Sequence, residues 1–381
     1  MTVPTDATVA LLHDLVAIDS VNPSLSPGAR GEGEVARRIA RELDSLGLHV
    51  EIADAAPGRP NVVGVLDGRE SGRSLMFCGH TDTVGVTGMR QPFAAEIRDG
   101  RLYGRGAQDM KGGVAAMIGA VRQIVETGGL ARGRIIIAAV ADEEHESAGA
   151  DALVTKWRAD AAVVTEPTGL DVAVAHKGFQ WIALETRGRA AHGSRPLEGR
   201  DAILRMGRVL ARLEALDRHL QQGPSHALLG TASLHASLVE GGHELSSYPS
   251  RAALQYERRT LPSESSDVSL IEANAILAEL KGEDPEFEAD ARQVFGRDAY
   301  EIDAASQLPA MLVDAAKAAG CRASIAGMTF WTDAAILGAA GIPSVLFGPG
   351  GAGLHSIEEY VIVDDVLRCR DALANLARGW C

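Results

Sequence analysis

His80, Asp109, Glu144, Glu166 and His355 are the residues whose types and placement speak most directly of chemistry. They lie far apart along the chain, yet four of them fall at or near the end of an apolar run that reads as a buried strand. His80 follows Ser74-Leu75-Met76-Phe77-Cys78-Gly79, and Glu144 follows a run beginning Ile135-Ile136-Ile137. Glu166 follows Ala161-Ala162-Val163-Val164-Thr165, and His355 comes a short glycine loop after Ser344-Val345-Leu346-Phe347. In an open α/β sheet, ligands collect at the carboxyl ends of the strands. Two histidines and three carboxylates suffice for two zinc-like ions if one carboxylate bridges them. The pattern therefore points to metal-assisted hydrolysis.

The neighbours of these residues add detail. In His80-Thr81-Asp82, side chains two apart on an extended segment point the same way. Asp82 can then hold the His80 ring and leave its other nitrogen for a metal; taken alone, the triplet is equally a polar strand end. Asp109 sits where the loop Gly104-Arg105-Gly106 meets the helix that starts near Lys111-Gly112-Gly113. It is either a helix cap or a bridge using both carboxylate oxygens, one per metal. Asp142-Glu143-Glu144 places three carboxylates side by side at a strand end, where they repel unless a cation or proton compensates. If Glu144 binds metal, Glu143 is free to act as general base. The loop Gly348-Pro349-Gly350-Gly351-Ala352-Gly353 also spells GxGxxG, but Pro349 lies in the turn and no long helix follows, which disfavours dinucleotide binding.

Two further groups lie outside this set. His192, in Ala191-His192-Gly193-Ser194, is placed to donate to a developing oxyanion or is simply a loop histidine beside a helix cap. Arg258 and Arg259 end a strand, either as solvated charges or as a fork for a substrate carboxylate.

The elements that must position these residues form an α/β pattern. Helices are expected at 6–18, 31–46, 111–126 and 147–157, with strands at 61–66, 74–79, 134–141 and 161–165. After His176-Lys177-Gly178 the character changes. Strands at 179–187, 231–238 and 251–258 with helices at 199–217 and 266–281 suggest a small α+β domain. From about residue 293 the α/β alternation resumes, with helices at 306–319, 332–339 and 364–377 and strands at 322–327 and 343–347. The second domain therefore reads as an insertion: 1–177 and 293–381 form the metal-binding domain, and 178–292 the inserted one.

Composition sets the outer bounds. The 381 residues exceed one ordinary core. A formal net charge of −14 argues against non-specific nucleic-acid binding. Met1 to Ser20 shows no secretory signal, and no apolar stretch is long enough to span a membrane. Cys78, Cys321, Cys369 and Cys381 have no framework spacing, so reduced thiols in a cytoplasmic protein are expected.

From Gly79-His80-Thr81-Asp82 to His355-Ser356 and Glu359-Tyr360, six motifs in order resemble the acetylornithine deacetylase, succinyl-diaminopimelate desuccinylase, glutamate carboxypeptidase and aminoacylase family of di-metal amide hydrolases. The resemblance implies a zinc-peptidase-like catalytic domain and an inserted, ferredoxin-like lid that dimerises. It implies that His80, Asp109 and Glu166 bind one metal, and Asp109, Glu144 and His355 the other. Asp82 would orient His80, Glu143 would be the general base, His192 would reach a neighbouring subunit's site, and Arg259 would grip a substrate carboxylate. Ser246 stands where many members carry an Asn before a Pro, and Glu257 stands for the more usual Asp. The shorter Ser246 loses an amide contact, which argues against acetylornithine as substrate. The expected activity is cleavage of an N-acyl amino acid with two divalent ions, zinc first and cobalt or manganese as alternatives. A dipeptidase, carboxypeptidase or carbamoyl-amide hydrolase is the alternative within the family, and a non-catalytic binding protein the alternative outside it.

Overall fold

A computed structural model of the chain describes residues 6–381. They divide into two compact units. The larger holds the described residues up to Val174, Ile302–Ala326 and Thr332–Cys381; the smaller holds Ala175–Glu301 and Gly327–Trp331.

The larger unit is built on a mixed sheet. Seven of the sheet's nine strands run in the spatial order His49–Ala56, Arg59–Asp67, Arg132–Val140, Glu70–His80, Ala161–Val164, Ser344–Leu346 and Val172–His176. The four from Arg132–Val140 to Ser344–Leu346 are mutually parallel. Strands buried on both faces read as unbroken apolar runs. Ile135 and Ile137 enter the main core cluster, while Ile136 and Ala138 are equally buried on the alternate positions. The helices Ala7–Ala17, Gly112–Glu126, Gln307–Ala318 and Val363–Trp380 pack on one another and supply much of that core. Asp6 caps the first of them, accepting from the amides of Thr8 and Val9.

The smaller unit is a four-stranded antiparallel sheet in the order Ser233–Gly241, Arg251–Thr260, Gly178–Arg187, Glu288–Arg297. In chain order it is strand, helix, two strands, helix, strand, the ferredoxin-like arrangement. The helices Ala202–Gln222 and Val268–Glu283 share a core with Ile182, Leu184, Leu254 and Tyr256.

Several strands were not anticipated, among them His49–Ala56, Glu288–Arg297 and Val172–His176. His49–Ala56 is an edge strand with several exposed positions, Glu288–Arg297 alternates charged and small residues, and Val172–His176 is short. His49–Ala56 and Glu288–Arg297 lack the apolar density by which a strand is recognised in sequence, and the apolar run Val172-Ala173-Val174-Ala175 is too brief to announce one. Among the described residues no helix is long and apolar enough to cross a membrane. All four cysteines are free and buried.

Candidate metal centre

Parallel strands end at the same edge of a sheet, so the residues that follow them are neighbours. His80 closes the strand Glu70–His80. Glu143 and Glu144 follow Arg132–Val140 on one side, and Glu166 follows Ala161–Val164 on the other. Asp109 lies in the turn Ala107–Lys111 at the head of the helix Gly112–Glu126. Two glycines let these segments close up. A Cβ at Gly113 would stand 1.9 Å from the carbonyl oxygen of Thr165, and one at Gly348 would stand 2.3 Å from that of Glu166. His355 enters from the glycine loop after Ser344–Leu346, with its own backbone left-handed at φ +57°.

Asp109 is the hub. Its Oδ1 lies 3.0 Å from His80 Nε2, and its Oδ2 lies 3.3 Å from His355 Nε2. His355 Nε2 is also 3.0 Å from Glu144 Oε2. On the other side, His80 Nε2 is 3.9 Å from Glu143 Oε2 and 4.0 Å from Glu166 Oε1. His80, Asp109 and Glu144 bring ligand atoms within 4.8 Å of one another, and so do His80, Glu143 and Glu166. His80 is fully enclosed, whereas the His355 side chain is 54% exposed and marks the open side.

The charges in this cluster do not balance by themselves. Burial, together with the neighbouring carboxylates, raises Glu143 and Glu166 well above the carboxylate range against the opposing field of His80. Burial and the charge of Asp109 lift Glu144 to about 7. Burial disfavours a charge on His80, but its bond to Asp109 and the fields of Glu143 and Glu166 raise its pKa well above the histidine norm. Bonds to Asp109 and Glu144 raise His355 to about 10. Burial pushes Asp109 up, but the two histidines outweigh that and hold it below the usual carboxylate range. The acids thus gain positive partners only through protons on the histidines. Divalent cations are the charge that such a nitrogen-and-oxygen donor set lacks, and the residues fit them.

A buried polar network holds the cluster in place. The Asp82 carboxylate accepts from the amides of Glu143 and Glu144 at 3.1 and 3.2 Å and from the Asn22 side chain at 2.8 Å. His80 Nδ1 donates instead to the backbone carbonyl of Asp82 at 3.0 Å, with the carboxylate at 3.6 Å. Asp142 turns the chain after Arg132–Val140 in a left-handed conformation, φ +70°. Its carboxylate accepts from Asn22, from Arg59 at 2.9 Å and from the amide of Ala148, and these bonds hold the uncommon backbone. Arg59 is in turn paired with the enclosed Glu32. Asn22, Arg59 and Glu32 carried no signal in sequence, because single polar residues in loops show their purpose only once the loops meet.

The remaining expected site residues belong to the smaller unit. His192 is exposed, and its Nδ1 accepts from the Ser194 amide at 3.2 Å and lies 2.8 Å from the Ser194 hydroxyl. An accepting Nδ1 places the ring proton on Nε2. Ser246 is exposed, and its carbonyl accepts from the Gly193 amide at 2.7 Å, tying the two loops together. Arg259 donates to the Thr329 carbonyl at 2.8 Å, lies 3.4 Å from Glu257 and rests over the Phe179 ring. Arg258 is fully buried between Glu264 and Glu272 and so serves the fold.

Residues 76–379 match the peptidase family M20/M25/M40. The chain is 30% identical to an acetylornithine deacetylase of Myxococcus xanthus, over 98% of this chain and 97% of that one. It is 31% identical to a succinyl-diaminopimelate desuccinylase of Gluconacetobacter diazotrophicus, over 96% and 95%. It is 29% identical to an N-formyl-4-amino-5-aminomethyl-2-methylpyrimidine deformylase of Bacillus subtilis, over 93% and 91%. Among solved structures, a Staphylococcus aureus tripeptidase superposes with a TM-score of 0.80 at 20% identity, covering 100% of this chain and 99% of that one. A dinuclear metal-binding M20 peptidase of Bacillus subtilis gives 0.74 at 17% identity, covering 98% and 97%. The chain therefore belongs to the peptidase family M20/M25/M40 and is a hydrolase of amide bonds in acylated amino acids or peptides.

Proposed function

We propose that the chain is a two-metal deacylase that removes the acyl group from an N-acyl amino acid. The observation that carries this reading is Asp109, which turns one carboxylate oxygen to His80 and the other to His355. In this scheme His80, Asp109 and Glu166 hold one divalent ion, and Asp109, Glu144 and His355 hold the other. Zinc is the first candidate, with cobalt and manganese open to the same ligands. When bound, the ions would supply positive charge that polarises the amide oxygen and makes the attacking water more acidic.

The chain's own residues do the rest. Glu143 lies beside the ligands without being one; it takes the proton of the attacking water at its carboxylate and returns it to the nitrogen of the leaving amine. Asp82 keeps Glu143 and Glu144 in register through their amides, and its carbonyl fixes the His80 ring. His192 donates its Nε2 proton to the oxygen that gains charge during attack. Arg259 takes the substrate carboxylate between its free guanidinium donors. The inserted unit acts as a lid and as the dimer interface, so that His192 serves the partner subunit's site. Ser246, too short to make an amide contact, argues for a substrate other than acetylornithine. Four free, buried thiols agree with a reducing, cytoplasmic setting.

The test is a panel of N-acetyl, N-succinyl and N-formyl amino acids and dipeptides, each assayed with added zinc, cobalt or manganese. Turnover of one acyl amino acid class well above the dipeptides supports the deacylase reading. Turnover confined to dipeptides overturns it.

A further inference from the structure

Glu359 has no place in the reaction scheme, yet it is tied to the centre more densely than most residues that do. It is 1% exposed. Its Oε1 accepts from the amides of Gln108 and Asp109 at 2.9 and 3.1 Å. Its Oε2 accepts from the amide of Gly106 at 3.0 Å and from Arg105 Nη1 at 2.6 Å. One carboxylate thus collects three backbone donors of the turn that delivers Asp109. Arg105, 3% exposed, reaches the opposite way. Its Nη2 donates to the carbonyl of Ser356, the residue after His355, at 2.9 Å, and its Nε donates to the carbonyl of Gly85 at 3.1 Å. Each member of the pair therefore grips the segment that carries the other. The backbone between them also joins, with the Gly104 amide donating to the Glu359 carbonyl at 3.1 Å.

These contacts hold conformations that local structure does not. Gly106 is left-handed at φ +78°, and so is His355 at φ +57°. Asp109 and Met110 depart from helical dihedrals inside their turn. A non-glycine residue in the left-handed region persists where its surroundings over-determine it. Arg105 and Glu359 are the charged pair that ties these two segments together, and the segments present Asp109 and His355 to each other at 3.3 Å.

We propose that Arg105 and Glu359 form a reciprocal brace that sets the separation of Asp109 and His355 and thereby the affinity for metal. Both are positioning residues, since neither touches the reacting atoms. The inference rests on the reading of Asp109 and His355 as ligands.

The test uses Glu359→Gln and the double variant Arg105→Gln/Glu359→Gln in the full chain. In the single variant an amide NH₂ replaces Oε2 and faces two other donors, Arg105 and the Gly106 amide. In the double variant no buried charge is left without a partner, which guards against a chain that fails to fold. In metal-free protein, hydrogen exchange at Gly106, Gln108 and Asp109 should speed up by about tenfold or more, with the strand Arg132–Val140 unchanged. Titration with cobalt(II), read by its visible absorption, should show affinity weakened by about 10–100-fold in both variants. The double variant should regain the thermal midpoint of wild type without regaining its cobalt affinity. Recovery of midpoint and affinity together would mean the pair serves only the fold, and unchanged exchange at the three amides, or cobalt affinity within twofold of wild type, would overturn the brace. Wild-type protein that takes up no cobalt would defeat the metal reading instead, and the exchange measurement would still decide whether the pair holds the turn.

Discussion

At the scale of single residues, the groups that hold the centre differ from the groups that act in it. Glu143 and Glu144 are adjacent and both enclosed, but Glu144 faces His355 while Glu143 faces His80 and Glu166. Glu143→Gln should keep fold and metal content and lose about 10²–10⁴-fold in kcat, the usual cost of removing a general base. Metal analysis checks this beside kinetics; a variant that loses metal but keeps its rate would mean the two glutamates are exchanged. Arg259→Ala should raise KM for substrates with a free carboxylate and leave their amidated forms unaffected. Equal effects on both would make Arg259 a structural residue. The donors themselves were legible in sequence because each follows an apolar run or a glycine-dense loop. The residues that hold them were legible only in part: Asp82 was read as the holder of the His80 ring, but its bonds to backbone amides were not. Asp82 offers its carboxylate to the amides of Glu143 and Glu144, 61 and 62 positions on, and Glu359 offers its own to amides some 250 positions back. Backbone partners have no residue type, so no motif announces them.

At the scale of elements, the site depends on strand ends and on helices that crowd them. The long runs at 74–79, 134–141 and 161–165 were readable because strands buried on both faces are continuous in apolar residues. The short strand Val172–His176 was not, and it carries an enclosed histidine. Burial lowers His176 to about 4, against the opposing bond from its Nδ1 to the Lys177 carbonyl. The unfolded chain, with His176 near its ordinary value, binds more protons than the folded one between pH 6.5 and about 4. Stability from this group is therefore complete above that window and falls as pH drops through it, by on the order of 3 kcal/mol. Urea midpoints at pH 7 and pH 4.5 should diverge more in wild type than in His176→Gln. Equal divergence would assign the acid sensitivity elsewhere. Gly113→Ala tests the crowding. With 1.9 Å between the added carbon and the Thr165 carbonyl, the helix head must shift away from Glu166. A loss of about 1–3 kcal/mol is expected from the overpacking, together with weaker metal binding. Unchanged thermal stability and metal affinity would show that the helix head yields freely.

At the scale of the whole molecule, the inserted unit raises the question of whether one chain is enough. Its fold was readable in outline from the strand and helix runs after Gly178; its last strand, Glu288–Arg297, escaped because it is charged along much of its length. If His192 serves a partner, a His192→Ala subunit keeps its own metals and Glu143, and a Glu143→Gln subunit keeps a usable His192. Subunit exchange between them should restore activity towards about a quarter of wild type, since half of a statistical mixture is mixed dimers with one intact site each. No recovery after exchange confirmed by mass would place His192 in its own chain's site. All of this stands on the two-metal reading, and one measurement reaches that reading directly. Protein freed of metal by a chelator should be inactive on its best N-acyl amino acid, and activity should return with added zinc, cobalt or manganese to a plateau near about two ions per chain. Full activity in the chelated protein, with metal shown to be absent, would contradict it.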